Sequence, residues 1–240
     1  MPRFFTQEVD QHQAILRGDD ARHVTKVLRL RPGEHLLVCD GQGRDYDCVF
    51  ESASASEVLL RVESSQPSQT EPSLFVTLYQ ALPKGDKLDW IIQKAVELGV
   101  GAVVPVLTQR CVSRPDPKSM EKKRERLQRI ALEAAKQCGR GRIPQVQPLL
   151  SYEEALAAMA ADEKALLFYE NSTTSFRREL EQGATSLSIL VGAEGGLSPQ
   201  EVEAAQQLGI PSVSLGKRIL RCETAPLAAL AVLMYESGNL

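Results

Sequence analysis

The stretch Leu190-Val191-Gly192-Ala193-Glu194-Gly195-Gly196-Leu197-Ser198-Pro199 constrains the fold of this 240-residue chain more than any other. The apolar run Leu187 to Val191 has the length of a buried strand and stops at a glycine-rich turn. Ser198 and Pro199 then carry a helix start signal, a serine cap followed by proline at the first helical position. A strand that runs through a glycine turn into a helix is where an α/β sheet binds ligands. Glycines let the backbone approach closely and leave amide donors free. A tight connection with no ligand fits the same residues.

A second segment, Leu215-Gly216-Lys217-Arg218-Ile219-Leu220-Arg221-Cys222-Glu223-Thr224-Ala225-Pro226, follows a short predicted strand, Ser212 to Leu215, and precedes the apolar run Leu227 to Met234. Charge at this density between two buried elements costs desolvation energy unless the groups are paired or in use. An ordinary solvated loop with Thr224 as helix cap is the plainer alternative. The two segments lie close in sequence, so two loops at one sheet edge would be neighbours.

Residues 1 to about 70 read as mostly β. Glu34 to Cys39 is a strand, Asp40 to Gly43 a turn, Tyr46 to Glu51 a second strand and Val58 to Val62 a third. Short strands with such a DG turn suggest a hairpin within a small barrel. Asp20 to Leu30 has helical spacing, with Val24, Val27 and Leu28 on one face. Ser64 to Ser73 has two prolines and no apolar residue and reads as a linker, placing a domain boundary between residues 70 and 71. Beyond it strands and helices alternate. Leu74 to Ala81, Gly101 to Leu107, Ala165 to Tyr169 and Leu187 to Val191 are strands. Asp86 to Leu98, Pro117 to Cys138, Ser151 to Met159 and Phe176 to Gln182 are helices. This alternation predicts a parallel sheet with helices on both faces.

Composition narrows the chemistry. The 43% hydrophobic and 25% charged residues are ordinary for a globular protein. Cys39, Cys48, Cys111, Cys138 and Cys222 form no CxxC pair, so neither a metal site nor a disulfide framework is indicated, and reduced thiols fit a cytoplasmic protein. Met1 to Asp10 lacks the apolar core of a signal peptide, and Ala225 to Tyr235 is too short to span a membrane. His12, His23 and His35 are the chain's three histidines, which excludes a Ser-His-Asp site or an HExxH site within the α/β part. LGKR lacks the P-loop spacing, and GAEGG fails the GxGxxG pattern of nicotinamide enzymes. In a chain of net charge −3, the stretch Arg110 to Arg142 carries eleven Lys or Arg against four Asp or Glu. This is a candidate phosphate-contacting face, or a solvated helix surface.

GAEGGLSPQEV followed by LGKRILRCETAPLAAL resembles the SPOUT-class methyltransferases and, more narrowly, the RsmE family, which methylates N3 of a uridine in small-subunit ribosomal RNA. PRFF, HVTKVLRLRPGE with DGQGRDYDC, QALPKGDKLDWIIQKAVELGV and KRERLQRIALEAAKQCGR extend the resemblance, in order, over nearly the whole chain. The chain departs from the family at three positions: Ala193 and Lys217 stand where proline is usual, and Cys222 where threonine is usual.

The resemblance implies an α/β SPOUT domain over residues 71–240, with a trefoil-knotted parallel sheet, and a PUA-like β-barrel RNA-binding domain over residues 1–70. It implies S-adenosyl-L-methionine as cofactor, held by Leu167, Gly192, Glu194, Gly195, Gly196, Leu215, Ile219, Leu220 and Thr224. Deprotonation of uracil N3 spreads negative charge onto two carbonyl oxygens, which a cation would stabilise. Arg221 is the first candidate and Arg218 the second, with Glu223 or Glu194 as proton acceptor if burial raises its pKa. Arg221 paired with one of those carboxylates is the structural alternative. RNA phosphates would fall to Arg3, Arg22, Lys26, Arg29 and Arg31 in the small domain and to Lys84, Lys122, Lys123, Arg124, Arg140 and Arg142 in the large one. The implied partners are small-subunit ribosomal RNA within the assembled subunit and a second copy of the chain, with no membrane. A SPOUT enzyme acting on transfer-RNA ribose or guanine, a silent RNA-binding assembly module, and an α/β enzyme binding another nucleotide at GAEGG remain alternatives.

Overall fold

A computed structural model describes residues 3–180 and 184–240. The chain divides into two compact units, one formed by residues up to Glu71 with Ala135–Ile143, the other by Pro72–Ala134 with Pro144–Leu240. The small unit therefore also takes in residues 135–143, which a boundary at residue 70 assigns to the large one.

The small unit is a five-stranded sheet in the order β1-β3-β4-β5-β2, from β1 (Arg3–Phe5), β2 (Gln13–Arg17), β3 (His35–Cys39), β4 (Arg44–Ala53) and β5 (Glu57–Pro67). Only β1 and β3 are parallel. The sheet curls: Thr6 Oγ1 donates to the Ile15 carbonyl at 2.8 Å and the Ile15 amide to the Glu8 carbonyl at 2.9 Å, so the chain after edge strand β1 lies along edge strand β2. Phe4, Leu16, Leu36, Val38, Phe50, Val58 and Leu60 fill its core.

Two expectations change here. Ser64 to Pro67 is not linker but the polar end of β5, paired with Arg44 to Asp47. Its side chains are exposed, so it shows none of the apolar alternation that marks a strand in sequence. Asp20 to Leu30 is not one regular helix: α1 (Gly18–Arg22) passes into a turn of π-helix, His23–Val27. The wider turn rotates Val27 outward to 69% exposure while Val24 stays buried. The turn ends at Arg29 with φ +55°, the one non-glycine residue with positive φ among the described residues.

Two of the predicted phosphate contacts are interior. Arg3 makes a two-pronged pair with Asp45 at 2.9 and 2.8 Å and donates to the Arg140 carbonyl at 3.0 Å. Arg140, 5% exposed, donates to Glu71 at 2.7 Å. Glu71 also accepts from the Gly141 and Arg142 amides at 2.8 and 2.9 Å. Burial pushes the Glu71 pKa up, but Arg140 and the two amides outweigh it and hold the group below the usual carboxylate range. Arg3 and Arg140 thus hold the small unit together rather than reach for phosphate. Breaking such a pair strands a buried charge, at a cost of about 3–5 kcal/mol.

The large unit is a parallel sheet in the order β12-β10-β11-β6-β7-β8, with β9 also on β7. Its strands are β6 (Phe75–Ala81), β7 (Ala102–Leu107), β8 (Gln145–Val146), β9 (Leu150–Ser151), β10 (Ala165–Phe168), β11 (Ser186–Val191) and β12 (Ser212–Val213). The helices are α2 (Lys87–Glu97), α3 (Pro117–Cys138, its last turn counted with the small unit), α4 (Tyr152–Met159), α5 (Phe176–Leu180), α6 (Pro199–Gln207) and α7 (Ala225–Glu236). Residues 181–182 of the helix expected over Phe176 to Gln182 lie outside the described residues.

Alternation along the strands builds two buried faces. Tyr79, Val104, Leu167 and Leu190 pack with Tyr152, Leu156 and Met159 of α4 and Val202 and Ala205 of α6. Leu78, Val103, Leu166 and Ile189, one residue out of phase, are buried on the other face, where α7 packs on β6 and α2. The helix α6 starts where the sequence says: Ser198 Oγ accepts from the Glu201 amide, the Glu201 carboxylate accepts from the Ser198 amide, and Pro199 is the first helical residue. By contrast Thr224, before α7, makes no side-chain cap. From β12 at one sheet edge the chain returns through residues 214–224 to α7 against central strand β6; the resemblance places the knot in this return.

Candidate functional site

Three loops at the carboxyl ends of neighbouring strands enclose a cavity of about 500 Å³. It lies after β10 (Tyr169, Glu170), after β11 (Gly192 to Gly196) and after β12 (Leu215 to Cys222), a position expected for ligand binding in an open α/β sheet.

The turn after β11 is very tight. The Gly196 amide donates to the Ala193 carbonyl at 2.9 Å. A Cβ on Gly192 would stand 3.0 Å from the backbone carbons Cα and C of Gly196, so any side chain there would push the two ends of the turn apart by a few tenths of an ångström. Two anchors that the sequence reading did not single out hold it. Gln80, fully buried at the end of β6, donates to the Gly192 carbonyl at 3.4 Å, and Arg110, in the loop after β7, donates to the Gly195 carbonyl at 2.9 Å. Ala193, where the family usually has proline, is buried at 6% exposure within the turn.

The opposite wall is different in kind. Among the described residues, the backbone N–H groups of residues 217–222 donate to no protein acceptor, while Leu215, Ile219 and Leu220 supply apolar surface. Free amides beside apolar side chains suit a flat, hydrogen-bonding ring. Arg218 and Arg221 stand on this wall, and among the described residues neither side chain makes a hydrogen bond or ion pair. The alternative that pairs Arg221 with one of those carboxylates, Glu194 or Glu223, is therefore replaced.

The cation that takes those carboxylates is Lys87, at the first turn of α2. Its Nζ lies 3.0 Å from Glu194 and 3.3 Å from Glu223. Cys222 Sγ donates to Glu223 at 3.1 Å, so the thiol that stands where threonine is usual still presents a donor there. Burial pushes that thiol up to about 12. Burial also acts on Glu194 most strongly and upward, but the hydrogen bonds from Lys87 and the amides outweigh it, and its pKa is lowered. Glu223 is lowered by the Cys222 hydrogen bond and by Lys87. Neither carboxylate has the raised pKa that a general base at neutral pH needs, which corrects that expectation.

Of the expected cofactor residues, Gly192, Glu194, Gly195, Gly196, Leu215, Ile219 and Leu220 line the cavity. Leu167 does not; it is fully buried in β10 within the α4–α6 core, because the strand's alternation turns it to that face. Thr224 and Glu223 fall between lining residues Cys222 and Ala225 without lining the cavity themselves. Glu170 lines it, and its carboxylate has no partner among the described residues.

The basic run is largely spent internally: Arg110 on Gly195, Arg124 on Glu121, Arg126 on Asp89, Lys136 on Asp20 and Arg140 on Glu71. Lys26, Arg29, Arg31, Lys84, Lys122 and Arg142 are exposed, Lys123 is half-buried, and Arg22 is exposed beside Asp19.

Residues 70–234 match the RNA methyltransferase domain family and residues 16–63 the RNA methyltransferase PUA domain family. The chain is 35% identical to the ribosomal RNA small subunit methyltransferase E of Bacillus subtilis, over 99% of this chain and 97% of the relative. A crystal structure of the corresponding Neisseria gonorrhoeae enzyme, bound to S-adenosyl methionine, superposes with TM-score 0.88 at 34% identity, covering 98% of this chain and 97% of that one. A Legionella pneumophila protein described as a putative methyltransferase, also with bound cofactor, superposes with TM-score 0.85 at 29% identity, covering 97% and 96%.

Proposed function

Because the chain belongs to the RsmE family of small-subunit ribosomal RNA methyltransferases, we propose that it methylates N3 of a uridine in that RNA, with S-adenosyl-L-methionine as methyl donor. The observation that carries this reading is the pairing, on one cavity, of the amide-rich wall with two guanidiniums that have no internal partner.

The residues fit the cofactor. The free amides of residues 217–222 with Leu215, Ile219 and Leu220 would hold the adenine, and Glu170 offers a carboxylate to the ribose hydroxyls. The turn Gly192–Gly196 would bring backbone against the remainder. S-adenosylmethionine supplies a methyl group on a sulfonium, already an activated leaving group. What remains for the protein is alignment and charge. Arg221 stabilises the negative charge that develops on the uracil oxygens as N3 loses its proton, with Arg218 beside it. With Glu194 and Glu223 committed to Lys87, the proton passes to water.

Among the described residues no helix is long and apolar enough to cross a membrane. A ribosomal RNA substrate supports a cytoplasmic location for the protein. The outward side of α7, with Val232 at 39% and Tyr235 at 71% exposure, supports a homodimer through that helix, whose other side is core. In the small unit Lys26, Arg29 and Arg31 support a phosphate-contacting ridge.

Arg29 separates contact from scaffold. Its positive φ costs an L-residue roughly 1 kcal/mol that glycine does not pay. Arg29→Gly should therefore leave the melting temperature unchanged or raise it while weakening RNA binding and flattening its salt dependence by about one charge. A fall in stability with unchanged RNA affinity would assign Arg29 to the scaffold. The function itself is tested by incubation with methyl-labelled cofactor: label should enter the RNA of small subunits lacking the modification and not transfer RNA.

A further inference from the structure

We propose that Lys87 is a positioning residue for the cofactor, a single ammonium that fixes the spacing between the two loops forming the cavity walls. The proposal rests on the reading of this cavity as the S-adenosylmethionine site.

Lys87 opens α2, where the helix dipole disfavours a cation. Two carboxylates offset this. Glu194 belongs to the glycine turn after β11, and Glu223 to the segment entering α7; both lie within 3.3 Å of one Nζ. Cys222 Sγ is 3.9 Å from the same nitrogen. Glu194 is further tied to the α2 entry by the Lys84 amide at 3.1 Å. Residues 87, 194 and 223, far apart in sequence, thus converge on one point at the edge of the cavity.

The walls need such a tie. The wall of residues 217–222 has no backbone hydrogen bond from its own N–H groups, and in the facing turn, otherwise glycine and alanine, Glu194 is the one side chain long enough to reach across. The tie adds little to global stability, since the three side chains are 26–35% exposed and exposed ion pairs contribute little. Its effect falls on geometry, where a displacement of about 1 Å costs up to two orders of magnitude. Without Lys87 the two carboxylates would face each other with no cation between them and push the walls apart.

Calorimetric titration of the full chain with S-adenosylmethionine tests this. Lys87→Met should weaken binding roughly tenfold with an unchanged melting temperature, and Lys87→Arg should stay within about threefold of wild type. Adding Glu223→Gln to Lys87→Met should recover much of the loss, because the unpaired carboxylates repel only while both are charged. A purely structural lysine would show no such recovery. Binding by Lys87→Met within twofold of wild type, or a double variant as weak as Lys87→Met, would overturn the proposal. Failure of the wild-type chain to bind S-adenosylmethionine would instead overturn the cofactor reading on which it rests.

Discussion

Arg221→Ala should lower kcat for methyl transfer by about two to three orders of magnitude while leaving cofactor affinity within a few-fold of wild type. The separation follows from what Arg221 touches. Its guanidinium has no partner among the described residues, so its loss strands no buried carboxylate and costs little stability. The cofactor is held by the backbone and apolar side chains of the same loop, which the substitution leaves in place. What disappears is the charge facing the anion that forms on uracil. A preorganised donor aimed at such charge contributes about 3–4 kcal/mol to the barrier, more than it contributes to ground-state binding. Arg221→Lys should recover part of the rate, since charge returns but the planar fork does not. Arg218→Ala should cost less if Arg221 is the nearer cation. A raised KM with kcat unchanged would make Arg221 a binding residue only.

Gly196→Ala should reduce cofactor affinity at least tenfold and lower the melting temperature by several degrees. Two physical terms coincide at this position. Its φ of +63° lies in the left-handed region, which costs an L-residue roughly 1–2 kcal/mol. The new methyl would also stand 3.1 Å from a Glu170 carboxylate oxygen, so either Glu170 or the turn must move, and both line the cavity. Gly209→Ala is the control. Its φ is +78°, but nothing lies within 4 Å of the added carbon, and it follows α6 outside the cavity. It should lose comparable stability and keep full affinity. Equal affinity losses in the two variants would mean that global destabilisation, not the turn, governs binding.

Legibility in the sequence followed the kind of force holding each part. The central strands of the parallel sheet are buried on both faces and stand out as apolar runs, and α6 begins where Ser198 and Pro199 announce it. Strands held mainly by backbone pairing left weaker marks: β1 has three residues, β2 buries only Ala14 and Leu16, and the end of β5 buries nothing. The π-turn shifts the helical phase by less than one residue per turn, enough to move Val27 from core to surface. At the site, the loops were legible because glycine and charge are unusual between buried elements. The ionic partners were not. Arg140 and Glu71 are separated by 69 residues and Lys87 and Glu223 by more, and no local pattern links them. Lys87 itself reads as one more solvated charge near a helix start; its one local peculiarity is a cation at the wrong end of the helix dipole.

The most direct test of the central claim is the identity of the nucleoside that acquires the methyl group. Small ribosomal subunits lacking the modification are incubated with the protein and methyl-labelled S-adenosylmethionine, and the RNA is digested to nucleosides and resolved. The account predicts label in 3-methyluridine, lost with Arg221→Ala. Label in a 2′-O-methylated nucleoside or a methylated guanine, under the same conditions and at comparable yield, would contradict it.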